Sequence, residues 1–415
     1  MIEANEVDAS PDAAEPAMGI IAARPAAVPT PSWVVVGLAM GPAVALGLAR
    51  FAYALLLPSM RVDLGWSFAD AGALNTANAA GYLVGALVAA PFGRRIGDKA
   101  VFAASLLLTA MIIGASGLTA YFPALLVLRL AAGFTGALAF VSGAGLTSAA
   151  VMGSSEIRVP TLLGVYFSGA GIGITASALA VPPLLGTVGW RGGWLVLGAL
   201  ALVATAFGWM VLRRVPEPSH TSANTVSGNW SPRFMARQLL AYTLFGAGYI
   251  AYTTFIIAYL RNEEGFTDAG ITRFWSIFGL SSVVAAFAWG RILSRLKGGR
   301  GTAATLGVVT IGTAVPLLWS AAAGAYLSAI LFGGSFLAVL AAVTSFARRA
   351  VKPHAVTAAI ATLTVAFGIG QCIGPVLSGA LSDGPSGLRA GLWLSVGILA
   401  IATFVAVLQR EPGER

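Results

Sequence analysis

The sequence predicts an all-α membrane protein of twelve transmembrane helices, arranged as two pseudo-symmetric six-helix bundles. Three observations lead there: an apolar content too high for a water-soluble core, a regular series of long apolar stretches, and a biased placement of basic residues. Of 415 residues, 57% are hydrophobic and 10% charged, against about 25% charged in soluble proteins. One helix across a bilayer needs about 20 mostly apolar residues, so twelve need about 240. This composition excludes an ordinary cytosolic domain and a disordered chain. The balance of 25 Lys and Arg against 16 Asp and Glu gives a formal charge of +9, and only the placement of those charges tells a nucleic-acid partner from a membrane orientation signal.

Residues 1–31 are Ala/Pro-rich and carry Glu3, Glu6, Asp8, Asp12 and Glu15 against Arg24. They lack the basic start and short apolar run of a secretory signal, and read as a disordered cytoplasmic tail. Apolar stretches follow near 33–57, 68–91, 100–120, 124–150, 161–186 and 192–212, and again near 236–260, 269–292, 302–322, 325–346, 355–381 and 388–408. They are apolar on nearly all sides, and lipid demands that each segment satisfy its own backbone, so they read as helices. The polar stretch 213–235 separates bundle 32–212 from bundle 236–408 as a cytoplasmic linker, and 409–415 is a short cytoplasmic tail. With the N-terminus inside, 18 of the basic residues fall on inner segments and five on outer ones. That is the positive-inside pattern, with both termini cytoplasmic. The basic excess is therefore an orientation signal, and no nucleic-acid partner is expected.

The halves repeat one another weakly. GLARFAY (47–53) answers GAGYIAY (246–252), ADAG (69–72) answers TDAG (267–270), and GWRGGWL (189–195) answers GLRAGLW (387–393). Repeats at half-chain distance suggest two related bundles around a central site. Span four holds RLAAGFTGALAF (129–140), in which Arg129, Gly133 and Ala137 follow an R-x-x-x-G-x-x-x-A pattern, and the loop after span two reads PFGRRIGDK (91–99). On these motifs the chain resembles the major facilitator superfamily (MFS). ARFAYALLLPSM (49–60) with ALNTANAAGYLVGAL (73–87) is similar to its bacterial YbfB/YjiJ-like branch. The resemblance implies the MFS fold, transport by alternating access, and a place in the bacterial inner membrane. It also implies gating by the loop residues. Arg95, Gly97 and Lys99 match the family loop, while Arg94 stands at its usual Asp and Asp98 at its usual second Arg. Arg295 of GRILSRLKGGR (290–300) is the matching basic residue of the second half.

A charge within a span is costly, and two arginines, Arg50 and Arg129, sit inside spans. All 16 acids lie in tails, loops or span ends, so no mid-membrane carboxylate neutralises these arginines. An unpaired buried guanidinium invites an anion, whose carboxylate its planar fork fits. The expected substrate is therefore a small organic anion. Asn75, Asn78 and Tyr82 share one face of span two. Tyr53 follows Arg50 by three residues, Tyr249 and Tyr252 occupy the repeat-related places, and Trp275 and Gln371 add polar or aromatic groups. Proton carriers are usually intramembrane acids or histidines. The nearest coupling candidates are Asp70 and Asp383 at outer span ends, where helix capping is the competing role, and His354 at an inner edge. A weak-acid substrate could also bring its own proton.

The lone Cys372 and the two histidines exclude a disulfide and argue against a Cys/His metal site. No acid, base or nucleophile cluster lies within the spans, so no enzyme and no cofactor are expected. The partners expected are the small solute, the bilayer and, for a symporter, protons, with the protein acting as a monomer. Two rivals remain: a proton-driven efflux permease for neutral or hydrophobic compounds, and a transport-fold sensor without flux.

Overall fold

A computed structural model describes residues 32–152, 158–218, 233–352 and 355–410. The expected tail before residue 32, most of the linker, the final residues and His354 lie outside the described residues. Twelve helices are long and apolar enough to cross a membrane: Ser32–Leu64, Phe68–Ile96, Asp98–Ala115, Phe122–Val151, Thr161–Ala180, Pro182–Leu212, Ala236–Asn262, Asp268–Leu293, Arg300–Leu318, Ala322–Ala350, Val356–Ser382 and Gly387–Val407. They are spans one to twelve below. No strand occurs among the described residues. Because the number of spans is even, the first and last begin and end on the same side, here the terminal face; the opposite side is the far face.

Three boundaries differ from the sequence expectation by six residues or more, the first being the end of span one at Leu64 rather than near 57. Span five ends at Ala180 rather than near 186, and span six begins at Pro182 rather than near 192. Pro182 suits a first helical turn, where its missing N–H has no helical partner. Gly189 then turns the chain at φ 62°, so a short helix and the main span run on without a loop. Thr187 and Arg191 sit around this turn.

The internal repeat is visible at two far-face turns. Gly65 (φ 65°) and Gly265 (φ 68°) take the left-handed conformation that glycine adopts without strain. Ser67 and Thr267 follow as N-caps, accepting from the backbone of Asp70 and Gly270. Asp70 completes a capping box by accepting from the Ser67 N–H at 3.1 Å.

Spans one to six pack mainly among themselves, as do spans seven to twelve. In lipid, packing rather than hydrophobic exclusion holds helices together, and small residues allow the backbones to close. Spans two and four are the clearest case. A Cβ on Gly133 would strike the Asn78 carbonyl, and one on Gly81 the Leu130 carbonyl. Gly133→Val is therefore expected to cost about 3 kcal/mol or more. Thermal melting of the detergent-solubilised protein checks this, and an unchanged melting temperature would contradict the packing described.

The halves meet along spans two and eleven, spans five and eight, and the outer half of span one with span seven. Gly72 abuts the Pro375 carbonyl and Gly379 the Phe68 carbonyl, which brings spans two and eleven together at the far face. Phe51 meets Phe336 edge-on at 5.6 Å. Among the described residues, span four does not pack to a comparable extent against spans ten or eleven. The interface is thus closed at the far face and looser between those spans.

Candidate functional site at the interface of the halves

Residues Ala43–Phe51 of span one form a π-helix, in which the Ala52 N–H reaches the Gly47 carbonyl five residues back at 3.1 Å. Such segments widen a helix and are frequent at functional sites. Arg50 lies in this stretch and is 3% exposed. Its Nη2 donates to Gln371 Oε1 at 2.8 Å, across the two halves. The Gln371 Nε2 donates in turn to the Tyr249 hydroxyl at 2.7 Å. The Arg50 guanidinium carbon lies 5.4 Å from the Tyr82 ring centroid. Four sequence candidates from spans one, two, seven and eleven thus converge.

The chemistry of this group is one-sided. Arg50 Nε has no partner among the described residues. Tyr249 accepts from Gln371, so its own O–H remains a donor. Every described acid lies at a span end or in a connecting segment. The arrangement presents N–H and O–H donors and a positive charge, with no carboxylate opposite. Gln371→Leu keeps the volume but leaves the Arg50 Nη2 and Tyr249 without this bond. It is expected to destabilise the protein by about 1–3 kcal/mol and to weaken solute binding, read by melting and by ligand titration.

Arg129 serves this site from beside it. It is 1% exposed, and its Nη1 donates to the Ala49 carbonyl at 2.5 Å, one residue before Arg50. Its guanidinium carbon lies 5.0 Å from the Tyr53 ring and 5.4 Å from Trp194. Asn78 Nδ2 donates to the Arg129 carbonyl at 3.1 Å. Arg129 therefore braces the Arg50 segment and packs in the first half, although its Nε and Nη2 are unpartnered among the described residues.

Other candidates part from the cluster. Tyr53 donates to the Ala71 carbonyl at 2.8 Å and is fully buried. The π-helical stretch changes the angular step along span one, so Arg50 and Tyr53 do not act as neighbours on one α-helical face. Tyr252 pairs with Ser328 at 2.5 Å and stacks on Phe332 at 4.4 Å. Trp275 stacks on Phe278 at 4.8 Å. The contacts of Tyr53, Tyr252 and Trp275, expected at the cavity, thus lie away from the Arg50 cluster, and Trp275 Nε1 has no partner among the described residues. Asn75 bridges the halves instead, donating to Thr254 at 2.5 Å.

Two of the coupling candidates, Asp70 and Asp383, accept from helix N–H groups. Asp70 closes the capping box of span two. Asp383, from span eleven, accepts from the Phe68 and Ala69 N–H groups at 2.7 and 3.0 Å. At the terminal face Arg94, Arg95 and Arg295 are exposed, while Asp98 is buried near Gly145 of span four. Gly97 takes φ 86° at the start of span three, where Glu217 accepts from the Lys99 N–H at 3.3 Å. Sequence reading missed Glu217 and Thr254, whose roles need contacts over more than a hundred residues of chain, and Trp194, which reads as any span tryptophan.

The profile described as an uncharacterised MFS-type transporter, YbfB, matches residues 42–407. A chloramphenicol resistance protein of Streptomyces lividans is 27% identical over 382 residues, covering 87% of this chain and 92% of that protein. The purine ribonucleoside efflux pump NepI of Salmonella paratyphi B is 30% identical over 141 residues, 33% of this chain and 34% of the pump. Among solved structures, the nucleoside transporter NupG superposes with a TM-score of 0.71 at 15% identity, over 91% of this chain and 98% of that one. A bacterial homologue of the human lysosomal transporter Spinster, inward-facing and occupied, gives 0.68 at 15%, over 92% and 97%. At such identity these two show the fold alone. With the family profile spanning nearly all of the twelve helices, the chain belongs to the YbfB family of MFS-type transporters.

Proposed function

We propose that this transporter moves a small organic anion by alternating access, with the anion held at Arg50 beside Gln371, Tyr249 and Tyr82. The observation that carries this is Arg50 itself: a buried guanidinium, paired to a neutral amide, with Nε unpartnered and every described carboxylate at a span end or in a connecting segment. A solute carboxylate supplies the missing acceptor. The terminal face is the cytoplasmic one, following the bias of basic residues, and the membrane is the bacterial inner membrane. The far-face closure and the looser approach of span four to spans ten and eleven support access from the cytoplasmic side. Asp70 and Asp383 are engaged as caps, so a weak-acid solute bringing its own proton is the simpler route to proton-linked flux.

The test is a transport screen in proteoliposomes with matched charged and neutral solutes. The expected result is Arg50-dependent flux of carboxylates. Flux of neutral compounds alone would replace this reading with export of uncharged solutes. That second reading draws on the relatives named for chloramphenicol resistance and purine ribonucleoside efflux, and on the Gln371–Tyr249 pair, which can bond an uncharged polar group.

A further inference from the structure

The Arg50 cluster adjoins two groups of aromatic rings. In the second half, Tyr242 stacks on Phe367 with centroids 4.6 Å apart and planes within 11°. Tyr249 lies 5.6 Å from Phe367, also within 11°, and Phe245 lies 4.9 Å from Tyr249 within 22°. These four rings from spans seven and eleven share nearly one orientation. In the first half, Tyr82 packs against Phe140 at 6.3 Å. The two groups are neighbours: the Arg50 guanidinium lies over the Tyr82 ring and is linked to Tyr249 through Gln371, and a Cβ on Gly368 would lie 2.7 Å from Leu83.

Burial separates this arrangement from ordinary core packing. Tyr242, Phe245 and Tyr249 are buried, but Phe367, Tyr82 and Phe140 keep partial exposure in mid-span, although Tyr82 carries the buried Arg50 on its face. Arg50 covers one face of Tyr82 and is itself 3% exposed, so the exposure of Tyr82 belongs to the part of the ring that Arg50 leaves uncovered. Tyr82 and Tyr242 make no hydroxyl hydrogen bond among the described residues, leaving two further donors there. Aromatic rings prefer offset-stacked or edge-on partners 4.5–7 Å away. A parallel array with a partly exposed member, Phe367, is a template for one more flat ring.

We infer that the carried solute bears a planar aromatic ring, lying against Phe367 and Tyr82 with its charged edge toward Arg50. This rests on the reading of Arg50 as the anion anchor and adds the shape of the solute. A saturated ring of equal size buries similar apolar area but is puckered and has no quadrupole, so it fits the array less well.

Four probes separate the two claims: benzoate, cyclohexanecarboxylate, benzamide and 2-naphthoate, titrated against the full-length protein in nanodiscs and used as competitors of flux. Benzoate is expected to bind about tenfold more tightly than cyclohexanecarboxylate, and 2-naphthoate at least as tightly as benzoate. Phe367→Leu is expected to reduce that preference to near unity. The wild-type ratio needs no variant to fold, so a misfolded Phe367→Leu leaves the comparison intact. Equal binding of benzoate and cyclohexanecarboxylate would overturn the aromatic inference and leave the anion reading standing. Equal binding of benzoate and benzamide would overturn the anion reading and keep the ring slot. Binding of none of the four would overturn both.

Discussion

Replacing Arg50 by alanine is expected to reduce the apparent affinity for carried carboxylates by roughly 10- to 100-fold, the effect of losing a hydrogen bond to a charged group. The protein should remain folded, because two effects oppose each other. The change removes the bond to Gln371, worth about 1.5–3 kcal/mol as a bond from a charged group, but it also relieves the burial of an incompletely paired cation. Two further variants separate charge from structure. Arg50→Lys keeps the charge and loses the planar fork, and should retain weak transport. Arg50→Gln keeps a donor for Gln371 and loses the charge, and should behave as the alanine variant does toward anions. The measurement is the concentration dependence of counterflow in proteoliposomes. Wild-type affinity for every carboxylate in Arg50→Gln would remove the anion from the mechanism.

The sequence carried the fold because lipid imposes one period and one length. Twelve apolar stretches of the required length could only be helices, and the loops between them betrayed their sides by charge. The end of span five and the start of span six were missed because a left-handed glycine, Gly189, turns the chain without a polar loop. The site was half legible. Arg50 stood out because a charge in a span has few cheap explanations, and Gln371 because a buried amide must find partners. Tyr249 followed from the repeat. The same reasoning also chose Tyr53, Tyr252 and Trp275, whose contacts lie elsewhere, since an aromatic residue looks alike in sequence whether it lines a site or packs a core. The π-helical stretch that aims Arg50 has no residue signature in the sequence, and the aromatic array emerges only when spans seven and eleven are laid side by side.

Asp383→Ala is expected to loosen the far face about fivefold, by weakening a helix cap shared between the halves. The start of span two leaves its first N–H groups without helical partners. Ser67 takes the Asp70 N–H at 3.0 Å, within the same span. The Phe68 and Ala69 N–H groups are taken by Asp383, which belongs to the other half. Nearby charges are Asp70, held by Ser67, and Arg61, which lies over the Phe68 ring at 4.0 Å. The Asp383 cap exists only while the far-face ends of spans two and eleven touch, as Gly379 against the Phe68 carbonyl shows they do. Losing a cap costs about 1 kcal/mol, and here that cost falls on the far-face-closed conformation alone, so the balance moves toward the open one. Cys372 offers the readout: it is the sole cysteine, it is half-buried, and its carbonyl accepts from Thr76 across the interface at 2.8 Å. Modification of Cys372 by a membrane-impermeant thiol reagent added at the far face should quicken severalfold in Asp383→Ala and less in Asp383→Asn, which keeps one oxygen acceptor. Asp70→Ala is the control: its cap lies wholly inside span two, so it should lower the melting temperature and leave the labelling rate unchanged. Equal labelling of wild type and Asp383→Ala would mean that the close glycine contacts, and not the carboxylate, hold the far face shut.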